Sequence, residues 1–318
     1  VRATARLVAA ALAAALCAGC APAKRGAEHG LATAKRPLGD SLSLTVVPYE
    51  AAERLQDEYL PMARYLAREM GCRDGRFTSV VDYAGVVAAL ETGSVDVAYL
   101  SPFPYALATK RMTLKPAPLA MPWVEGSLTY RGIIFTRADS GIQSVADLRG
   151  RTFAFGDVTS TTGFLLPRAM LEKQGIFRTL RWRNAGNANM VVKAVENRAA
   201  DAGAAYESVF RVAYRKTPEK AALMRVVART EAIPNGIYVA RGDLPDEAVA
   251  RLKAAFQKMN TDPVGREAML KAPNDKIVPP QDRLFDPVRE TASVLGLDLS
   301  ELERKRLGGS LALPKKRR

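Results

Sequence analysis

The chain has 318 residues and a formal charge of +14, yet only one histidine and three cysteines. One imidazole cannot supply a histidine-based metal site or a Ser-His-Asp triad to the folded body, and so few thiols leave its stability to core burial rather than a disulfide framework. Basic residues are spread along the sequence and aromatics are 7% of it, which argues against a nucleic-acid surface and for attraction of small anions or anionic lipid headgroups.

The chain begins with Arg2 and Arg6 around a short basic stretch, continues "LVAAALAAAL" and reaches "CAGC". Charged, apolar and small-residue segments in that order form a secretory signal. The apolar run is shorter than the roughly 20 residues needed to span a bilayer. Cleavage before Cys20 would free a thiol for diacylglycerol, although Cys17 stands where leucine is usual and Leu16 lies beside it. Residues 1–19 are therefore expected to be a lipoprotein signal peptide and Cys20 the lipidated residue; plain secretion and an uncleaved anchor helix are the alternatives. Loss of Arg2 and Arg6 would lower the charge to +12. Residues 20–40 lack apolar periodicity and are expected to be a flexible tether. The lone His29 falls there, most simply as a solvated side chain. With Cys17 removed and Cys20 lipidated, Cys72 is the one thiol of the body. The last residues, 306–318, end in "KKRR" and are expected to be a solvated basic tail.

The body alternates strands and helices. "LSLTVV" is β-branched and alternating, and predicts a strand over 42–47. "EYLPMARYLAREMG" has helical spacing and Gly71 as a stop. A strand over 76–81 follows, then "DYAGVVAALETG" as a helix from Asp82 to Gly93, and "VDVAYLSP" as a third strand. "YRGIIFTRA" and "RTFAFGD" are further strands. "TTGFLLPRAMLEKQG" and "NMVVKAVENRAA" are helices, "DAGAAYES" is a buried strand, and "LPDEAVARLKAAFQKMN" is an amphipathic helix with Asp243 as its cap. These βαβ units imply an α/β fold on largely parallel sheets.

In such sheets ligands bind beyond the carboxyl ends of strands. Four such ends carry hydroxyls, phenols or acids: around Tyr49, Tyr99 with Ser101, 157–162, and 206–208. The third, in "GDVTSTTGFLLPRAML", places Ser160, Thr161 and Thr162 at a helix start, followed by Gly163. Free N–H groups and the helix dipole there favour an anion, and the hydroxyls add donors. An ordinary N-cap is the competing explanation. Tyr83 and Tyr105 read more simply as packing residues.

The chain resembles the phosphate/phosphite/phosphonate substrate-binding lipoproteins of ABC transporters. "VVPYEAAERLQDEYLPMARYLAREMG", "DYAGVVAALETGSVDVAYLSPFPYALA", "GDVTSTTGFLLPRAML", "GNANMVVKAVENRAADAGAAYESVF" and "IPNGIYVARGDLPDEAVARLKAAF" occur in family order across about 42–259. The S-T-[ST]-G-[FY]-x-x-P segment is the most specific. The resemblance implies a type II periplasmic binding protein fold: two α/β lobes joined by two crossover strands, near 131–136 and 234–239, closing on ligand. Lobe 1 would take 41–133 and 237–305, and lobe 2 would take 134–236. It further implies ligand contacts from Tyr49, Tyr99, Ser101, Ser160, Thr161, Thr162 and Glu207, the carboxylate accepting the proton of a monoprotonated ligand. No catalytic residue, metal or cofactor is implied. The implied partners are a small anion, permease and ATPase subunits and, through Cys20, a membrane, the binding protein itself being a monomer outside the cytoplasm.

One departure is the "GNANMVV" turn, where phosphonate-binding members often carry a histidine. Asn187 or Asn189 could replace its polar contact but not its charge, so the bound anion stays open among phosphate, phosphite, a phosphonate or another small solute. Presentation of ligand to a sensor kinase is a second reading. The related thiamine-pyrimidine enzymes fit poorly with a signal peptide and a histidine-free body.

Overall fold

The structure, a computed structural model, describes residues 35–297. The expected signal peptide, Cys20, His29 and the basic tail lie outside the described residues. The strands in chain order are β1 (Ser41–Val46), β2 (Asp74–Phe77), β3 (Val97–Leu100), β4 (Ala117–Trp123), β5 (Thr129–Tyr130), β6 (Gly132–Arg137), β7 (Thr152–Phe155), β8 (Arg181–Asn184), β9 (Ala202–Tyr206), β10 (Met224–Arg229), β11 (Ile233–Pro234), β12 (Ile237–Ala240) and β13 (Lys276–Val278). The helices are α1 (Ala52–Met70), α2 (Tyr83–Thr92), α3 (Pro102–Arg111), α4 (Leu166–Lys173), α5 (Ala188–Glu196), α6 (Val209–Ala213), α7 (Asp246–Lys258), α8 (Pro263–Lys271) and α9 (Asp286–Val294).

Two mixed sheets divide these strands. One has the order β13-β4-β12-β3-β1-β2, the other β10-β6-β9-β7-β8. In the first, β1 pairs in parallel with β2 and β3, while the late strand β12 enters antiparallel between β3 and β4. All four residues of β12 are fully buried, as a central strand covered on both faces requires. The chain leaves the first sheet after β4 and returns to it at β12. Both passages meet as a short antiparallel ribbon, Tyr130 opposite Ile233 and Thr129 opposite Pro234. The ribbon lies a few residues before the expected crossover segments, because 132–137 and 237–240 are already sheet strands. One buried apolar cluster runs through both halves, from Val86 and Phe103 to Phe155 and Phe164. Separate clusters pack α1, α7 and α8 on the first sheet and α5 and α6 on the second.

Several local expectations shift. Helix α1 starts at Ala52, six residues before the quoted helical segment, and ends as read, with Gly71 at φ 75°. The second strand is Asp74–Phe77 rather than 76–81, since Thr78 N–H donates to Leu44 O and its carbonyl accepts the Thr45 hydroxyl, ending the ladder. Pro118 and Pro122 hide β4 from a sequence reading; a register shift opposite Tyr238 and Val239 accommodates the first of them. Asp243 does not cap α7, whose cap position is Pro245. Its carboxylate instead pairs with Arg36 and with Arg241. Arg241 is 5% exposed and fully engaged: Nε donates to Asp96 at 2.9 Å, and Nη2 donates to the carbonyls of Arg36 and Pro37 at 3.0 Å each. A buried guanidinium is tolerated only with such complete pairing. The backbone at 36–37 is thereby fastened to the first sheet.

Candidate functional site

A cavity of about 520 Å³ opens where the strand ends of the two halves face one another. Beyond β7 the chain makes an Asx turn: Asp157 Oδ1 accepts from Thr159 N–H at 2.8 Å and from its hydroxyl at 2.6 Å. Thr159 is thus turned away, and Ser160, Thr161 and Thr162 line the cavity. Thr161–Leu165 forms a π-helical turn before α4. Such wide turns recur at functional sites. Ser160 caps it, its Oγ accepting Gly163 N–H at 3.1 Å. A Cβ on Gly163 would stand 2.9 Å from that Oγ and 3.2 Å from Gly156 Cα. The glycine therefore serves the tight cap as well as any approach of a ligand.

Thr161 does something else. Its Oγ1 accepts the N–H of Phe103, at the start of α3 in the other half, at 2.9 Å. The hydroxyl proton is left to point elsewhere. Tyr130 on the crossover ribbon and Tyr83 at the start of α2 line the cavity together with this turn.

The remaining expected residues also line the cavity, in different states of engagement. Ser101 occupies the cap position of α3, but its side chain makes no capping bond, and its buried Oγ has no partner among the described residues. Tyr99 OH accepts Gly236 N–H at 3.1 Å. A Cβ on Gly236 would lie 2.3 Å from Leu100 O and 2.5 Å from the Tyr99 ring, so only glycine allows this approach beside the ribbon. Tyr49 OH meets Tyr59 OH at 3.1 Å. Glu207 is half-exposed and accepts from Arg229 Nε at 2.8 Å.

The deeper carboxylate is Glu50, 7% exposed. It accepts Ala51 N–H at 3.0 Å and the Asn189 amide from the other half. Asn189 thus reaches a cleft carboxylate without lining the cleft itself, whereas Asn187 caps α5 through Met190 N–H at 3.1 Å. Glu50, Tyr59 and Tyr130 go unread in the sequence, and Tyr206 enters there only as part of the strand end at 206–208. Tyr206 had a legible signal, since period-2 alternation sets either Tyr206 or Glu207 inward. Tyr105, read as a packing residue, is buried and donates to Asp282 at 2.6 Å, away from the cavity.

The lining holds four carboxylates, Glu50, Glu58, Glu125 and Glu207, against two guanidinium groups, Arg54 and Arg211. Arg211 pairs with Glu125 across the mouth. Burial pushes the Tyr99 phenol up to about 12. Burial, with the charge of Glu58, raises Tyr49, and burial, with the charge of Asp157, raises Tyr83. Burial likewise raises Tyr59, Tyr130 and Tyr206. These phenols stay protonated at neutral pH. The site therefore offers neutral O–H donors around the turn at 160–162 and carboxylate acceptors beside them, which suits an anion that keeps one proton.

A two-lobed α/β fold with a double crossover and a donor-lined cleft between the sheets is the type II class of periplasmic binding proteins. The chain matches the family of ABC transporter, phosphonate, periplasmic substrate-binding proteins over residues 44–285 and belongs to it. It is the extracytoplasmic solute-binding component of an ABC importer. It is 26% identical over 297 residues to the phosphate-import protein PhnD of Mycolicibacterium smegmatis, covering 87% of this chain and 92% of that one. It is 24% identical over 230 residues to the phosphonates-binding periplasmic protein of Escherichia coli K12, covering 70% and 67%. Among solved structures, PhnD1 of Prochlorococcus marinus in complex with methylphosphonate superposes with a TM-score of 0.73 at 16% identity, over 81% of this chain and 98% of that one.

Proposed function

We propose that the cleft captures a small phosphorus oxyanion, a phosphonate, phosphite or phosphate carrying one proton, for delivery to the permease. The observation that carries this reading is the double use of Thr161. Its oxygen accepts an N–H from the opposite half, which leaves its own proton free to be donated to an anion in the cleft. Ser160 and Thr162 donate beside it, Tyr49, Tyr99 and Ser101 complete the donor set, and Glu207 takes the ligand proton. The names of the curated relatives, phosphate import in one and phosphonates in the other, agree with that chemistry. The lobes follow the two sheets, 41–123 with 237–297 and 132–229, and are joined through the ribbon at 129–130 and 233–234. A lipid on Cys20 holds the protein, a monomer, at the membrane surface.

A thermal-shift screen of the purified protein against phosphate, phosphite, methylphosphonate, 2-aminoethylphosphonate and sulfate tests the ligand. A true ligand at a hundred times its Kd stabilises by about 2.7 kcal/mol. No shift with any phosphorus anion overturns the reading. Detergent phase partitioning tests the anchor: Cys20→Ser is expected to move the protein into the aqueous phase, and unchanged membrane association contradicts lipidation there.

A further inference from the structure

Beyond the Glu50–Asn189 bridge lies a second cavity of about 360 Å³. The turn around Glu50 and Arg54 walls it on one side, and α5 with the end of α6 on the other. Its lining carries four cations, Arg54, Lys193, Arg215 and Lys216, against two carboxylates, Glu50 and Glu196.

Both carboxylates are already engaged. Glu196 accepts from Lys220 Nζ at 3.0 Å and from the Tyr214 hydroxyl at 3.3 Å. Glu50 is held by Ala51 N–H, Asn189 and Arg54. Lys193, Arg215 and Lys216 make no ion pair among the described residues. Arg54 Nη1 is buried without a hydrogen-bond acceptor; it stands 3.5 Å from Glu50 Oε2, in ion-pair range but without an aligned bond. The ligand cleft on the other side of the bridge has the opposite balance, four carboxylates to two arginines.

Three exposed cations without partners around a concave surface concentrate positive potential there, and a polyanion that contacts all three at once is attracted to it. The cleft next door, rich in carboxylates, disfavours the same polyanion. We propose that the second cavity is a binding site, separate from the ligand cleft, for a multiply charged phosphate-bearing group. That group can arrive free in solution or on a lipid headgroup; the recognition chemistry is the same.

The test is calorimetric titration of the purified full chain with inorganic pyrophosphate and, separately, with monomeric dihexanoyl phosphatidic acid. Three proteins are compared: wild type, the cleft variant Ser101→Ala, whose hydroxyl makes no bond between the halves, and the triple variant Lys193→Gln, Arg215→Gln, Lys216→Gln. Wild type and Ser101→Ala are expected to bind one equivalent of pyrophosphate, phosphatidic acid or both with equal affinity. The triple variant is expected to bind at least ten-fold more weakly with an unchanged melting temperature, because its three side chains are exposed and unpaired. The tighter probe identifies the source of the group. Binding weakened by Ser101→Ala, binding that survives the triple substitution, or no saturable binding of either probe to wild type overturns the proposal.

Discussion

Thr161 joins the two halves through one oxygen, so its substitution separates shape from chemistry. Thr161→Val keeps the volume but leaves the Phe103 N–H without its acceptor and, by the proposed function, the bound anion short of a donor. We expect about 1.5–3 kcal/mol lost from binding, a ten- to hundred-fold fall in affinity, while Thr161→Ser keeps most of it. Titration calorimetry on both variants decides; equal affinities in wild type and Thr161→Val would remove Thr161 from the site. Gly236→Ala makes a different demand, since its Cβ would meet a backbone oxygen, Leu100 O, at 2.3 Å. Overpacking of this kind costs about 1–3 kcal/mol, and a chemical melt with an unchanged midpoint would contradict the close approach of Tyr99. The donor turn was legible in the sequence because its residues are consecutive and its chemistry is local. Glu50 was not, because its neighbour Tyr49 offered an equally good inward side chain and only the turn into α1 decides between them.

At the level of elements, the βαβ order and the six strands β1, β2, β3, β6, β7 and β9 could be read directly, while β4, β8, β10 and β13 could not. Prolines mask β4, and β8 and β10 are edge strands rich in arginine and half-exposed. Their pairing comes from neighbours far away in sequence. The cleft contacts between halves are equally non-local: Thr161 to Phe103, Asn189 to Glu50, Arg211 to Glu125. All three must break for the cleft to open about the ribbon at 129–130 and 233–234. Small-angle scattering is expected to show a larger radius of gyration without ligand than with it, and Asn189→Ala should weaken ligand binding by favouring the open form. Identical scattering in both states would rule out closure about the ribbon.

Taken whole, the molecule keeps its phenols protonated. All ten tyrosines of the chain are raised above their ordinary value, burial being the leading cause throughout. Below a pH of about 10 folded and unfolded chains hold these protons alike, so they add no pH dependence. Above it the unfolded chain releases them first, so stability falls as pH rises toward the folded values. Absorbance at 295 nm should therefore report phenolate only as the helical circular dichroism disappears, and early ionisation in a still-native protein would count against this picture. The Arg241 network has a mechanical meaning of its own. Because its guanidinium grips the carbonyls of Arg36 and Pro37, any tension arriving along the preceding segment enters the six-stranded sheet and bypasses the ribbon. In the proposed clamshell movement that sheet is the stator and the five-stranded half the rotor, so a protein held by the proposed lipid on Cys20 would open and close without dragging its leash through the hinge.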